Sequence, residues 1–103
     1  MQGRRAMNEA SLEDVITINE DVVFRELDGE AVILNLETAT YFGLNAVGTT
    51  IWNLIHQHSS LQKVFEIMGE EYEVAPEALE RDLLQLVGQL SAKGLVSVSR
   101  SQE

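Results

Sequence analysis

The sequence predicts an α+β domain in which a three-stranded antiparallel sheet is followed by three helices. Its 103 residues are 45% hydrophobic and 23% charged, which is typical of one globular domain. Residues 15–44 are rich in Val, Ile, Thr, Phe and Tyr and are interrupted by turn-forming residues, a composition that favours strands. After Leu44 the apolar residues change from a period of two to one of about 3.6, which indicates helices.

Two hairpins are predicted to build the sheet. Asp28-Gly29 suits a two-residue type I′ turn, because both central residues of that turn need positive φ. A second hairpin is centred on Thr38-Ala39. Residues equidistant from each turn then oppose each other, so the expected cross-strand pairs are Phe24–Ile33, Val23–Leu34 and Arg25–Val32 in the first hairpin, and Leu36–Tyr41, Asn35–Phe42 and Ile33–Leu44 in the second.

This register separates the side chains into two faces. The face assigned to the core carries Val22, Phe24, Ala31, Ile33, Phe42 and Leu44. The other face carries Val23, Val32, Leu34, Leu36 and Tyr41, which makes it more apolar than a fully solvated face usually is.

The first helix is predicted to begin after Asn45, whose side chain suits the N-cap position. Its apolar residues recur at helical spacing as Val47, Ile51, Leu54 and Ile55. We place Trp52 of this helix and Phe65 of the next one in the core. The polar run Gln57-His58-Ser59 is expected to end the first helix.

The second helix is predicted to begin at Ser59 or Ser60. Ser59 and Gln62 have the spacing of a capping box, in which the two side chains cap the helix reciprocally. Gly69 is expected to end this helix as its C′ residue.

The third helix is predicted to begin at Pro76, because the missing N–H of proline costs nothing in the first turn. Gly94 is expected to end it, and residues 95–98 read as a short strand. The last two helices and this strand together look like a winged helix-turn-helix.

Several kinds of chemistry are excluded by composition. The chain has no cysteine, so disulfides, thiolate metal sites and cysteine nucleophiles are ruled out. His56 and His58 are the only histidines, and side chains two apart on a helix point about 200° from each other, so they cannot clamp one metal. The acids between Glu66 and Asp82 are better explained as a solvated face than as a carboxylate site. We therefore expect no metal, no cofactor and no catalytic turnover.

The net charge of −10 disfavours nucleic acid as a partner, because an acidic chain repels the phosphate backbone. The third helix would also present three acids against two bases to DNA. The longest apolar run, Ala31–Leu34, is far shorter than the roughly 20 residues that span a bilayer.

The expected domain covers residues 15–99, with a flexible tail at 1–14 and a short tail at 100–103. Met1 or Met7 can be the natural start. No hydrophobic segment follows the basic residues near the N-terminus, so we expect no secretory signal and a cytoplasmic protein.

An ordered set of motifs carries a resemblance to a known family. The set consists of AVILNL at residues 31–36, YFGLNAVG at 41–48, IWNLI at 51–55, ERDLL at 80–84 and KGLV at 93–96. Over about residues 20–98 this order resembles the PqqD-like family, the peptide-recognition proteins of ribosomal natural-product pathways. The sequence is more similar to the lasso-peptide type of member than to the pyrroloquinoline quinone type.

The resemblance implies a non-catalytic domain that binds the leader region of a precursor peptide. In such proteins the leader is added as a strand to the third sheet strand and lies against the third helix. Carried over to this chain, the peptide-binding residues are Tyr41, Phe42, Gly43 and Leu44 on the strand, and Leu79, Asp82, Leu83 and Leu86 on the helix. The implied partners are the precursor peptide and a maturation enzyme, either a radical-SAM protein or a leader protease. The alternative function is a winged-helix DNA-binding transcriptional regulator.

Overall fold

The computed structural model describes residues 11–100, and this part of the chain confirms the predicted α+β order. Three strands form an antiparallel sheet, three helices follow, and two further strands pair at the ends of the described range. In chain order the elements are β1 (Asp14–Ile18), β2 (Val22–Leu27), β3 (Glu30–Asn35), β4 (Thr40–Leu44), α1 (Ala46–His58), α2 (Leu61–Glu71), α3 (Pro76–Ala92) and β5 (Val96–Arg100).

The first hairpin has the predicted turn and register. Asp28 and Gly29 have φ values of 56° and 81°, the positive values that a type I′ turn needs. Phe24 lies opposite Ile33, and the neighbouring pairs follow as expected. The Asp-Gly signal is therefore sufficient to set this register.

The predicted register of the second hairpin is wrong by two residues. Thr40 lies opposite Asn35, and Ile33 lies opposite Phe42 rather than Leu44. The loop has four residues because the Asn35 side-chain oxygen accepts hydrogen bonds from the N–H groups of Glu37 (2.8 Å) and Thr38 (3.2 Å). A slip of two residues leaves every side chain on its predicted face.

The two faces of the β2–β3–β4 sheet differ as predicted. Ala31, Ile33 and Leu44 are buried on the face that packs against the helices, with Phe24 and Phe42 partly buried beside them. The opposite face exposes Val23, Val32, Leu36 and Tyr41.

A second sheet, formed by β1 and β5, was not predicted. The two strands pair antiparallel, with Ile16 opposite Val98, and so connect the two ends of the described chain. The first strand begins at Asp14, one residue before the predicted domain start, and the Ser11 N–H donates to an Asp14 carboxylate oxygen at 2.8 Å. The rest of the predicted tails, at 1–10 and 101–103, and the two candidate start residues lie outside the described residues.

Two predictions about α2 are wrong. Of the two predicted starts, Ser60 is the N-cap, because its hydroxyl accepts from the Lys63 N–H at 3.3 Å; the predicted capping box of Ser59 and Gln62 is wrong. Ser59 instead ends α1 with a φ of 65°, and its N–H donates to the Ile55 carbonyl. Gly69 does not end α2, which continues to Glu71. Burial of Met68 and partial burial of Tyr72 offset the cost of about 1 kcal/mol that glycine adds inside a helix.

The other helix ends confirm the predictions. Asn45 caps α1 by accepting a hydrogen bond from the Gly48 N–H at 2.8 Å. Pro76 stands at the start of α3, and Gly94, with a φ of 73°, follows its end. Trp52 is buried and stacks on Phe24, with ring centroids 6.2 Å apart.

Candidate functional site

A cleft of about 500 Å³ lies between β4, the start of α1 and the outer side of α3. The residues that line it come from these three elements in turn: Phe42, Gly43, Leu44, Asn45, Val47, Gly48, Ile51, Asp82, Gln85, Leu86 and Gln89.

One side of the cleft is the edge of β4, which within residues 11–100 pairs with β3 alone. The direction of the β4 backbone groups follows from the hydrogen-bond pattern that joins β2, β3 and β4. The Leu36 N–H donates to the Asp21 carbonyl at 2.8 Å, which directs the backbone of Leu36 and of every second residue before it towards β2. Asn35, Ile33 and Ala31 therefore bond to β4.

The partners of those three residues on β4 are Thr40, Phe42 and Leu44. These residues direct their N–H and C=O groups towards β3. The backbone N–H and C=O groups of Tyr41 and Gly43 consequently point away from β3, towards the open edge of the sheet. Gly43 also lines the cleft. β4 thus offers unpaired donors and acceptors to another extended chain.

A close contact between α1 and the end of β4 shapes the second side of the cleft. A Cβ atom on Gly48 would lie 3.1 Å from the Leu44 Cδ2 atom and 3.3 Å from the Asn45 side-chain oxygen. Glycine at this position therefore lets the helix approach the end of the strand without displacing these side chains. Val47 and Ile51 flank this point and make the α1 side apolar.

The α3 side of the cleft is mostly polar. Asp82, Gln85 and Gln89 recur at intervals of three and four residues and so follow one side of the helix, with Leu86 beside them. The Asp82 side chain is 68% exposed, and its oxygen lies 3.7 Å from the Arg81 Nε atom. This ion pair is exposed and contributes little to stability, so the carboxylate is available to a ligand.

Comparison with known proteins places this arrangement in a family. Residues 30–96 match the family model of coenzyme PQQ synthesis protein D (PqqD). The chain belongs to the PqqD family. The resemblance drawn from the sequence motifs is thereby confirmed.

Two solved structures are similar to this PqqD-family chain. TbiB1 in complex with the TbiA(beta) leader peptide is 37% identical, with a TM-score of 0.75 over 79% of this chain and 94% of that one. Lasso peptide synthetase B1 complexed with the leader peptide is 23% identical, with a TM-score of 0.62 over 80% of this chain and 96% of that one, a likeness that shows the fold alone. No curated protein sequence matches the chain.

The structure brings five of the eight predicted site residues to the cleft of this PqqD-family chain. They are Phe42, Gly43, Leu44, Asp82 and Leu86. The Tyr41 side chain lies on the outer sheet face, 70% exposed, so only its backbone is directed to the free edge.

Leu79 and Leu83 do not line the cleft; they are buried in the core, with 7% and 0% of their surface exposed. With Val87 and Leu90 they form the stripe of α3 that packs inward. The cleft is lined instead by the neighbouring stripe, which begins at Asp82.

Six residues of the cleft were not predicted: Asn45, Val47, Gly48, Ile51, Gln85 and Gln89. Gln85 and Gln89 could have been predicted from the sequence, because they follow Asp82 by three and seven residues and so lie on the same side of the helix. Val47 and Ile51 belong to the apolar stripe predicted for the first helix, and nothing in the local pattern shows that this stripe extends into a cleft.

No group of three or more His, Cys, Asp or Glu side chains in residues 11–100 is arranged to hold a metal ion. In the same part of the chain, no helix combines the length and apolar character of a membrane-spanning segment. What the described site offers is a strand edge, an apolar wall and a polar wall.

Proposed function

We propose that this chain is a non-catalytic recognition module, which binds the leader region of a ribosomally made precursor peptide and presents it to a maturation enzyme. The observation that carries the proposal is the free edge of β4 beside the cleft. The Tyr41 and Gly43 backbone groups are available to an extended peptide, and strand addition is the recognition mode that uses such an edge.

The cleft supplies the contacts that a strand added to β4 needs on its inner face. Alternate side chains of such a strand point towards the helices, where Phe42, Leu44 and Leu86 offer apolar surface. Asp82 accepts a hydrogen bond from an N–H group of the peptide or forms an ion pair with a basic side chain, and so orients the peptide. Leu79 and Leu83 act from the core, by holding α3 at the correct distance.

The relatives support a leader peptide as the ligand. TbiB1 is 37% identical to this chain across most of both chains and was solved with a leader peptide bound. Family membership, together with a free strand edge in the same fold, favours the same class of ligand for this chain.

A maturation enzyme is the second proposed partner. The described residues hold no cluster for a metal, and both histidines lie at one end of α1, so we propose that chemistry on the peptide is done by another protein. A radical-SAM enzyme and a leader protease both fit this role. We place the encounter in the cytoplasm, where a ribosomally made peptide first appears.

Nothing in the described structure favours the DNA-binding alternative. The exposed residues of α3 include Glu77, Glu80 and Asp82, and the chain carries a net charge of −10. Acidic side chains on the helix that would enter a groove oppose phosphate binding.

Fluorescence anisotropy with a labelled TbiA(beta) leader peptide tests the proposal. We expect saturable binding with a Kd between about 1 nM and 1 µM, the range expected when a few apolar anchors are buried at the cost of ordering a peptide. A peptide of the same composition in scrambled order is the control, and a labelled DNA duplex is the competing ligand. Salt-sensitive binding of the duplex without binding of the leader would contradict the proposal.

A further inference from the structure

We propose that Gln85 and Gln89 of α3 hydrogen-bond the backbone of the bound leader, on the edge that does not pair with β4. This inference rests on the proposed function. A strand added to β4 uses the N–H and C=O groups of one edge for the sheet, and those of its other edge remain without partners. Because α3 lines the same cleft as the β4 edge, it is the element positioned to satisfy them.

The spacing of the two glutamines suits this role. Residues four apart on a helix are separated by about 6 Å along its axis. Backbone groups on one edge of a strand recur every two residues, at about 6.8 Å. The distance between Gln85 and Gln89 along α3 therefore nearly matches the distance between successive outward-facing peptide groups of one extended chain.

The chemistry of the two side chains also suits a backbone ligand. A carboxamide offers both a donor and an acceptor, as a peptide group does. Both glutamines are exposed, and within the described part of the chain neither carboxamide has a hydrogen-bond partner. By contrast, the Gln62 carboxamide on α2 donates to a Glu66 carboxylate oxygen at 3.3 Å.

The neighbouring residues of the cleft suit other parts of the peptide. Asp82 only accepts hydrogen bonds and carries a charge, so it favours a cationic or donor group, whereas Leu86 favours an apolar side chain. The cleft then has two kinds of contact. Gln85 and Gln89 hold any extended backbone, and Asp82 and Leu86 select among side chains.

The first test compares the affinities of Gln85→Ala and Gln89→Ala for the labelled TbiA(beta) leader peptide. Each variant should bind about three- to tenfold more weakly than the unsubstituted chain, the usual effect of losing one or two hydrogen bonds. Alanine favours helix, so both variants should keep their thermal stability. Gln57→Ala, on the exposed end of α1 outside the cleft, is the matched control and should bind normally.

The second test separates backbone recognition from side-chain recognition. Alanine variants of the TbiA(beta) leader are titrated against the unsubstituted chain and against Gln85→Ala. If Gln85 contacts the backbone, the fold-loss from Gln85→Ala is the same for every leader variant, because the two substitutions are independent. If Gln85 reads a side chain, the loss disappears at one leader position.

Each outcome decides between the claims. Normal binding by both glutamine variants, or a loss that disappears at one leader position, would overturn the backbone contact and leave the proposed function standing. No binding by the unsubstituted chain would overturn the proposed function and this inference with it.

Discussion

Gly43 is the position at which a substitution tests strand addition most cleanly. Its N–H points away from β3, it lines the cleft, and a Cβ atom there would meet no other atom within 4 Å. Gly43→Pro removes this donor and leaves the bonds between β3 and β4 intact. We expect at least about tenfold weaker binding of the leader by anisotropy, from the lost hydrogen bond and the ring on the pairing edge.

Glu26→Pro is the matched control for this substitution. Glu26 lies on β2, the other edge strand of the same sheet, and its N–H also points outward because its neighbours Arg25 and Leu27 bond to β3. Both variants therefore carry a proline at an outward-facing edge position. Equal loss of binding in the two would show that the effect is not specific to β4.

Asp82 combines high exposure with a position in the cleft. Its exposed ion pair with Arg81 contributes little to folding, so Asp82→Ala should leave the melting temperature nearly unchanged. Binding of the leader should weaken about tenfold, because a hydrogen bond to a charged group is lost. Glu80→Ala, an exposed acid of α3 outside the cleft lining, is the control for the change in net charge. Wild-type affinity in Asp82→Ala would remove this residue from the site.

At the scale of single elements, α1 packs against the sheet with one side and lines the cleft with its first turns. Its inner side buries Trp52, which is 3% exposed and stacks on Phe24 with the two ring planes 10° apart. Its first turns carry Val47 and Ile51 into the cleft. The packing of Trp52 thus fixes where the apolar wall of the site lies.

Trp52→Ala should lower the free energy of unfolding by about 3–5 kcal/mol, because it removes a large buried ring from a small core. Urea denaturation measures this loss. Leu27→Ala, at a position 77% exposed, should change stability by less than about 0.5 kcal/mol. Unchanged stability in Trp52→Ala together with lost peptide binding would mean that the ring belongs to the site and not to the core.

Local sequence signals determine some elements and leave others open. Asp28-Gly29 requires one turn type, so the first register could be predicted residue by residue. The second turn depends on the Asn35 side chain, which bonds to the loop and also donates to the Gly94 carbonyl at 2.9 Å. That second bond joins residues far apart in the chain, so the local pattern around Thr38 does not contain it.

At the scale of the whole molecule, the pairing of the chain ends was not predicted because local sequence patterns do not contain contacts between distant residues. The β1–β5 pairing joins Asp14 to Arg100, and no local pattern specifies contacts across that separation. The site was partly predictable, since β4 and the Asp82 side of α3 follow from the family motifs. Leu79 and Leu83, to which the resemblance assigns peptide contacts, lie on the buried stripe of α3 with Val87 and Leu90, and the family motifs do not distinguish that stripe from the neighbouring one that lines the cleft.

Strand addition at β4 is tested most directly by backbone amide hydrogen exchange, followed by NMR with and without the TbiA(beta) leader peptide. The Tyr41 and Gly43 amides should exchange more slowly in proportion to the fraction of chain bound, because the peptide supplies their missing acceptors. The outward-facing amides of Phe24 and Glu26 on β2 should not change. Leader binding that leaves exchange at Tyr41 and Gly43 unaltered, or that slows Phe24 and Glu26 instead, would contradict strand addition at β4.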